Sequence, residues 1–160
     1  MINGATDVHK NYVFGVHTNS NIGYGGIYPI RSVRNNNFKL IHNITPENII
    51  SNYKIKSPIW PINYAAAKVQ NKIKYQRYVQ RPEFELYDMV SDPLELTDLY
   101  NQSQFAEQVT ELKKQLAQWM LQQEDEGLKT EKEACLHQAF SNRVCPNIAD
   151  SKSLKVSEND

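Results

Sequence analysis

The chain reads as an α+β fold: a small four-stranded antiparallel sheet packed by a long C-terminal amphipathic helix. Three observations predict it. Short runs of β-branched and aromatic residues recur, separated by turn residues. Two such runs flank a stretch of asparagines, as the arms of a hairpin do. One strong stripe of apolar residues then follows at helical spacing.

Each element has its own reason. Tyr12 to Val16 (YVFGV) is rich in β-formers and reads as a short buried strand. His17 to Gly26 carries turn residues and three glycines and reads as a loop. Ile27 to Arg34 reads as a second strand, with Pro29 pointing to an edge or a bulge near its start. Asn35, Asn36 and Asn37 form the turn, because asparagine tolerates the left-handed conformation of tight hairpins. Phe38 to Ile44 returns as the third strand. Thr45 to Trp60 is irregular, punctuated by prolines, with a helical turn expected over Glu47 to Tyr53. Tyr64 to Tyr78 has helical composition, ended by Arg81-Pro82 because a residue before proline avoids the helical region.

Phe84 to Met89 alternates Phe84, Leu86 and Asp88 against Glu85, Tyr87 and Met89, the pattern of a fourth strand. Asp88 and Asp92 read as turn formers, and Asp92-Pro93 as the turn itself. The helix is expected from Gln104 to Gln123. Phe105, Val109, Leu112, Leu116, Trp119 and Met120 make its apolar stripe, Ser103 its N-cap and Gly127 its stop. Glu107 and Glu111 are placed to pair with Lys114 and its neighbours. Residues 1–126 are thus one folded unit, and residues 127–160 a polar, partly disordered tail with room for one short helix.

Composition excludes some function classes. Lysine plus arginine number 18, aspartate plus glutamate 18, so the net charge is zero. That argues against a chain built to coat nucleic acid or an anionic membrane. No apolar run approaches the ~20 residues that span a bilayer. The N-terminal MINGATDVHKNYVFG has no apolar core and is not read as a signal peptide. Nine tyrosines and two tryptophans suit sugar stacking and ordinary loop packing alike. Cys135 and Cys145 are open to one disulfide or two free thiols.

Chemistry-bearing motifs are few. Gly23, Gly25 and Gly26 lack the lysine and hydroxyl of a phosphate loop. No nucleophile elbow and no HExxH occurs. His9 and His137 lie in polar segments, and His42 shares a strand face with Leu40 and Ile44. His17 differs: it follows a buried strand and opens a glycine-rich loop, with Thr18 and Asn19 beside it, a position where sites are often built. Asn43-Ile44-Thr45 and Asn101-Gln102-Ser103 match the N-glycosylation acceptor pattern, which is common by chance.

YVFGVHT, YPIRSVRNNNFKLIHN, RPEFELYDMVSDPLELTDL and the FAEQVTELKKQLAQWM helix stand in that order. This order resembles the C-terminal subdomain of the sulfatases, in the branch containing heparan N-sulfatase (N-sulfoglucosamine sulfohydrolase). The resemblance covers roughly residues 11–125. It implies a four-stranded antiparallel sheet with a long helix, attached to an alkaline-phosphatase-like catalytic domain. It also implies a parent activity, hydrolysis of sulfate esters or sulfamates by a formylglycine with calcium bound alongside.

Those parts do not map onto this chain. The modified residue sits in a C/S-x-P/A-x-R pattern, whereas Cys135 is followed by LHQA and Cys145 by PNIA. The expectation is a supporting lobe, with no catalytic or metal-binding residues and no cofactor of its own. Calcium and formylglycine are expected in the full-length family, and the implied partners are the missing N-terminal catalytic domain and a sulfated glycan. The resemblance implies that the loop after the first strand approaches the substrate pocket, so that His17 and Thr18 would face it. Full-length members are lysosomal, periplasmic or secreted. The chain alone is expected to be inactive and to expose apolar surface. Two rivals are a stand-alone carbohydrate-binding module and a small enzyme using His17.

Overall fold

A computed structural model describes residues 10–18, 27–48 and 80–134. The expected helix over Tyr64 to Tyr78, most of the irregular stretch before it and both cysteines lie outside these residues. Four strands form one sheet: β1 (Val13–His17), β2 (Ile30–Arg34), β3 (Phe38–Asn43) and β4 (Phe84–Asp88). Their order is β1-β2-β3-β4. Two helices follow, α1 (Ala106–Gln122) and α2 (Leu128–Glu133), with one 3-10 turn over Ser103–Phe105 ahead of α1. The fold is α+β, an antiparallel sheet with a helix, as the sequence predicts.

The described residues fall into two compact units. One holds residues 10–16, 31–42 and 84–124; the other holds 17–18, 27–30, 43–48, 80–83 and 125–134.

In the first unit, the asparagines do form the turn, but not through the expected left-handed conformation: among the described non-glycine residues only Glu95 and Glu124 take positive φ. Asn35 N–H donates to the Phe38 carbonyl at 3.0 Å, and Asn35 Oδ1 accepts from the Asn37 and Phe38 amides at 2.9 and 2.7 Å. β3 and β4 run antiparallel with Leu40 opposite Leu86 and His42 opposite Phe84. That register sends Leu40 and Leu86 to one face, where they join Val33, Leu112 and Leu116 in the buried core. All six residues of the expected stripe belong to this cluster. Phe14 stacks on Trp119 at 5.0 Å, and Phe38 meets Phe105 edge-on at 5.8 Å. Burying each aliphatic side chain contributes roughly 1.5–3 kcal/mol, so this face is what holds α1 on the sheet. The opposite face is buried too, at Ile41, Glu85 and Tyr87.

The structure corrects four other local expectations. β1 is an edge strand, and Val13 and Val16 are 62% and 54% exposed rather than buried. Pro29 does not mark an edge: β2 is internal, and the buried Pro29 stands just before it, its carbonyl accepting from the Ile44 amide at 3.0 Å. Ser103 does not cap α1. It opens the 3-10 turn, and α1 has no side-chain cap; tighter three-residue bonds such as Phe105 N–H to Gln102 O take that role. Gly127 does not stop α1 either. Glu124 takes the left-handed position at φ 54°, and its N–H closes on Leu121 O at 3.2 Å. Gly127, at φ 64°, instead stands at the N-cap of α2.

Candidate functional site

The stretch 81–100 carries six acidic side chains, so its carboxylates come first. Asp88 ends β4 and accepts from the Val90 and Ser91 amides at 2.9 and 3.1 Å. The Ser91 and Val90 N–H groups hold its carboxyl below the ordinary aspartate value. Asp92 accepts from the Thr97 amide at 2.7 Å. Glu95, itself in the left-handed region at φ 56°, pairs with Lys39 at 2.7 Å. Asp98 accepts from the Leu86 and Tyr100 amides at 3.0 and 2.9 Å, while the Leu99 amide donates to Leu86 O at 2.8 Å. Leu86 thus has both backbone groups satisfied on the outer side of β4, which shields that sheet edge. This stretch is therefore a folding device. Asp88, Asp92 and Asp98 bond backbone amides that fix the path of the chain, and Glu95 pairs with Lys39.

His17 and Thr18 lie together at the end of β1, both exposed. The Thr18 hydroxyl donates to the Glu131 carboxylate across 113 residues. Glu131 is 3% exposed, and its amide bonds Gly127 O at 3.2 Å in the first turn of α2. Around it, Asp125 accepts from the Gly127 amide at 2.9 Å and Thr130 from the Glu126 amide at 2.8 Å. Sequence reading missed Glu131, which it placed in a polar tail. A buried carboxylate has no signature of periodicity when its partner is so distant in the chain. The helix-forming run LKTEKE was the one available signal.

Elsewhere in the first unit His42 is half-buried, stacked on Phe84 at 4.3 Å. Phe84 also stacks on Tyr100 at 5.5 Å, and Lys113 Nζ sits 3.7 Å from the Phe84 centroid while donating to Tyr100 Oη at 3.3 Å. Tyr12 Oη donates to Glu111 at 3.1 Å; burial and that carboxylate push the phenol up, and bonds from Gln115 and Tyr12 pull Glu111 down. Gln115 and Tyr12 are the hydrogen-bond partners that Glu111 shows, and Lys114 adds the expected charge attraction. Among the described residues, no group of three or more histidine, cysteine, aspartate or glutamate side chains could hold a metal ion. His9, His137, Cys135 and Cys145 lie outside them.

The chain is 30% identical over 116 residues to an ulvan-active sulfatase of Formosa agariphila, covering 72% of itself and 22% of that protein. It is 30% identical over 111 residues to the N-sulphoglucosamine sulphohydrolase of Homo sapiens, covering 61% of itself and 21% of that protein. The chain is a relative of the sulfatases. A second ulvan-active sulfatase of Formosa agariphila is 32% identical over 98 residues, 57% of this chain and 16% of its own. The chain spans about a fifth of the length of these sulfatases, as a C-terminal subdomain of one would. No protein-family model matches it. A solved structure of a protein in complex with its substrate D-glucosamine-2-N,6-O-disulfate superposes at a TM-score of 0.44 and 19% identity, over 73% of this chain and 17% of that one.

Proposed function

We propose that this chain is the supporting C-terminal lobe of a sulfatase acting on sulfated glycans, of the N-sulfoglucosamine sulfohydrolase kind, and that it is inactive alone. The observation that carries this reading is the 30% identity to two sulfatases over 111–116 residues, about a fifth of each. Asp88, Asp92 and Asp98 are turned to backbone amides and Glu95 to Lys39. No step of hydrolysis is therefore assigned to them. In this reading, the formylglycine nucleophile and the calcium that holds the sulfate oxygens belong to a catalytic domain. The lobe supplies a rigid wall, with His17 and Thr18 at the strand end beside the substrate. Glu131 anchors Thr18 there. A stand-alone sugar-binding module is less favoured, because His42 and Lys113 already occupy the Phe84 ring.

The test uses the 160-residue chain, with N-sulfoglucosamine and ulvan oligosaccharides as substrates. The chain alone should release no sulfate. Added to the Formosa relative's catalytic domain trimmed of the matching stretch, it should bind and restore release. Failure to bind that domain, or release of sulfate by the chain unaided, overturns the proposal.

A further inference from the structure

Two N-x-S/T triplets lie within the described residues, and the fold treats them oppositely. Asn43 is 0% exposed, and its Nδ2 donates to the Pro82 carbonyl at 2.7 Å. Thr45 is 2% exposed, and its hydroxyl donates to the Ile27 carbonyl at 3.1 Å. The Asn43 amide donates to Glu83 O at 2.8 Å, and Asn48 Nδ2 reaches the same Ile27 carbonyl at 3.1 Å. This triplet ties strand β3 to its neighbouring loops. A glycan on Asn43 Nδ2 would replace the Pro82 bond and have no volume to occupy.

Asn101, Gln102 and Ser103 are all exposed. They sit in the turn between the acidic motif and α1, where the backbone closes by Gln102 N–H to Leu99 O at 3.0 Å. The one side-chain bond shown there is Gln104 Nε2 to Gln102 Oε1, at 3.3 Å. The whole triplet is thus open to solvent on the turn ahead of α1.

We infer that Asn101 is an acceptor site for an N-linked glycan and that Asn43 is closed to one. The donor class is a lipid-pyrophosphate-linked oligosaccharide. A bond forms between Asn101 Nδ2 and the anomeric carbon, the carbon–oxygen bond to pyrophosphate breaks, and the amide loses one proton. No oxidant or reductant is needed.

The experiment sends the full chain, behind a cleavable leader, through the secretory pathway of a eukaryotic host beside a known glycoprotein. The folded, protease-resistant fraction is treated with peptide-N-glycosidase in heavy-oxygen water, which marks each formerly modified asparagine as heavy aspartate. Heavy aspartate is expected at 101 and not at 43. N101Q and S103A should each abolish the mobility shift, and S103T should keep it. An unmarked Asn101 beside a modified control, or a mark at Asn43 in the folded fraction, overturns the inference.

Discussion

Asp98 shows how one side chain sets local structure. Its carboxylate receives the Leu86 and Tyr100 amides at once, so removing it orphans two donors, one of them on β4. Asp98→Ala should lower stability by about 1–3 kcal/mol, measured by urea unfolding. Asp88 works in the same way but titrates visibly. Its folded-state carboxyl is held below the ordinary value by the Ser91 and Val90 amides. The stability it contributes is therefore present above the ordinary carboxylate pKa. It is lost as pH falls through the depressed value. Asp88→Asn should flatten that acidic limb of a stability–pH profile without moving the neutral plateau's slope. The spacing of Asp88 and Asp92 announced turns, because aspartate bonds backbone within a few residues. Nothing marked Asp98, whose partner Leu86 lies twelve residues back in the chain.

Helix α1 was legible because periodicity is a property of the element itself. Leu112 and Leu116 are buried and Leu121 is 80% exposed, as the stripe requires. Leu112→Ala should cost about 2–5 kcal/mol, whereas Leu121→Ala should stay within ~0.5 kcal/mol; thermal unfolding of the pair separates core from surface. The end of α1 was misread. A glycine three residues on drew the stop to Gly127, while Glu124 bears the left-handed turn. A side chain there costs roughly 1–2 kcal/mol. Glu124→Gly should therefore raise the melting temperature. β1 was misjudged for a related reason. Composition reveals that YVFGV favours a strand, but only sheet order makes it an edge and exposes its valines. Within β1, Gly15 marks a close approach, since a Cβ there would stand 2.7 Å from Ser32 Oγ.

For the whole molecule, the exposed apolar side chains bear on the proposed role. Val90, Leu94 and Leu96, in the loop after β4, are 71%, 76% and 55% exposed. Large apolar groups gathered in one loop are costly in water and characteristic of surfaces that meet a partner. The isolated chain should bind a polarity-sensitive dye, and replacing all three residues by serine should weaken that signal. Equal fluorescence from both chains would count against a partner-facing loop.

What the sequence determined by itself was local. Alternation, helical spacing and aspartate–proline chemistry act over a few residues, so strands, turns and the long helix could be read in order. The order of motifs carried the sulfatase kinship for the same reason. Tertiary structure decided the rest. It alone could bury Glu131 against Thr18, close Asn43 while opening Asn101, and hand the edge of β4 to Asp98 and Leu99. Those outcomes depend on which distant groups share a small dry volume, and a linear pattern holds no record of distance in space.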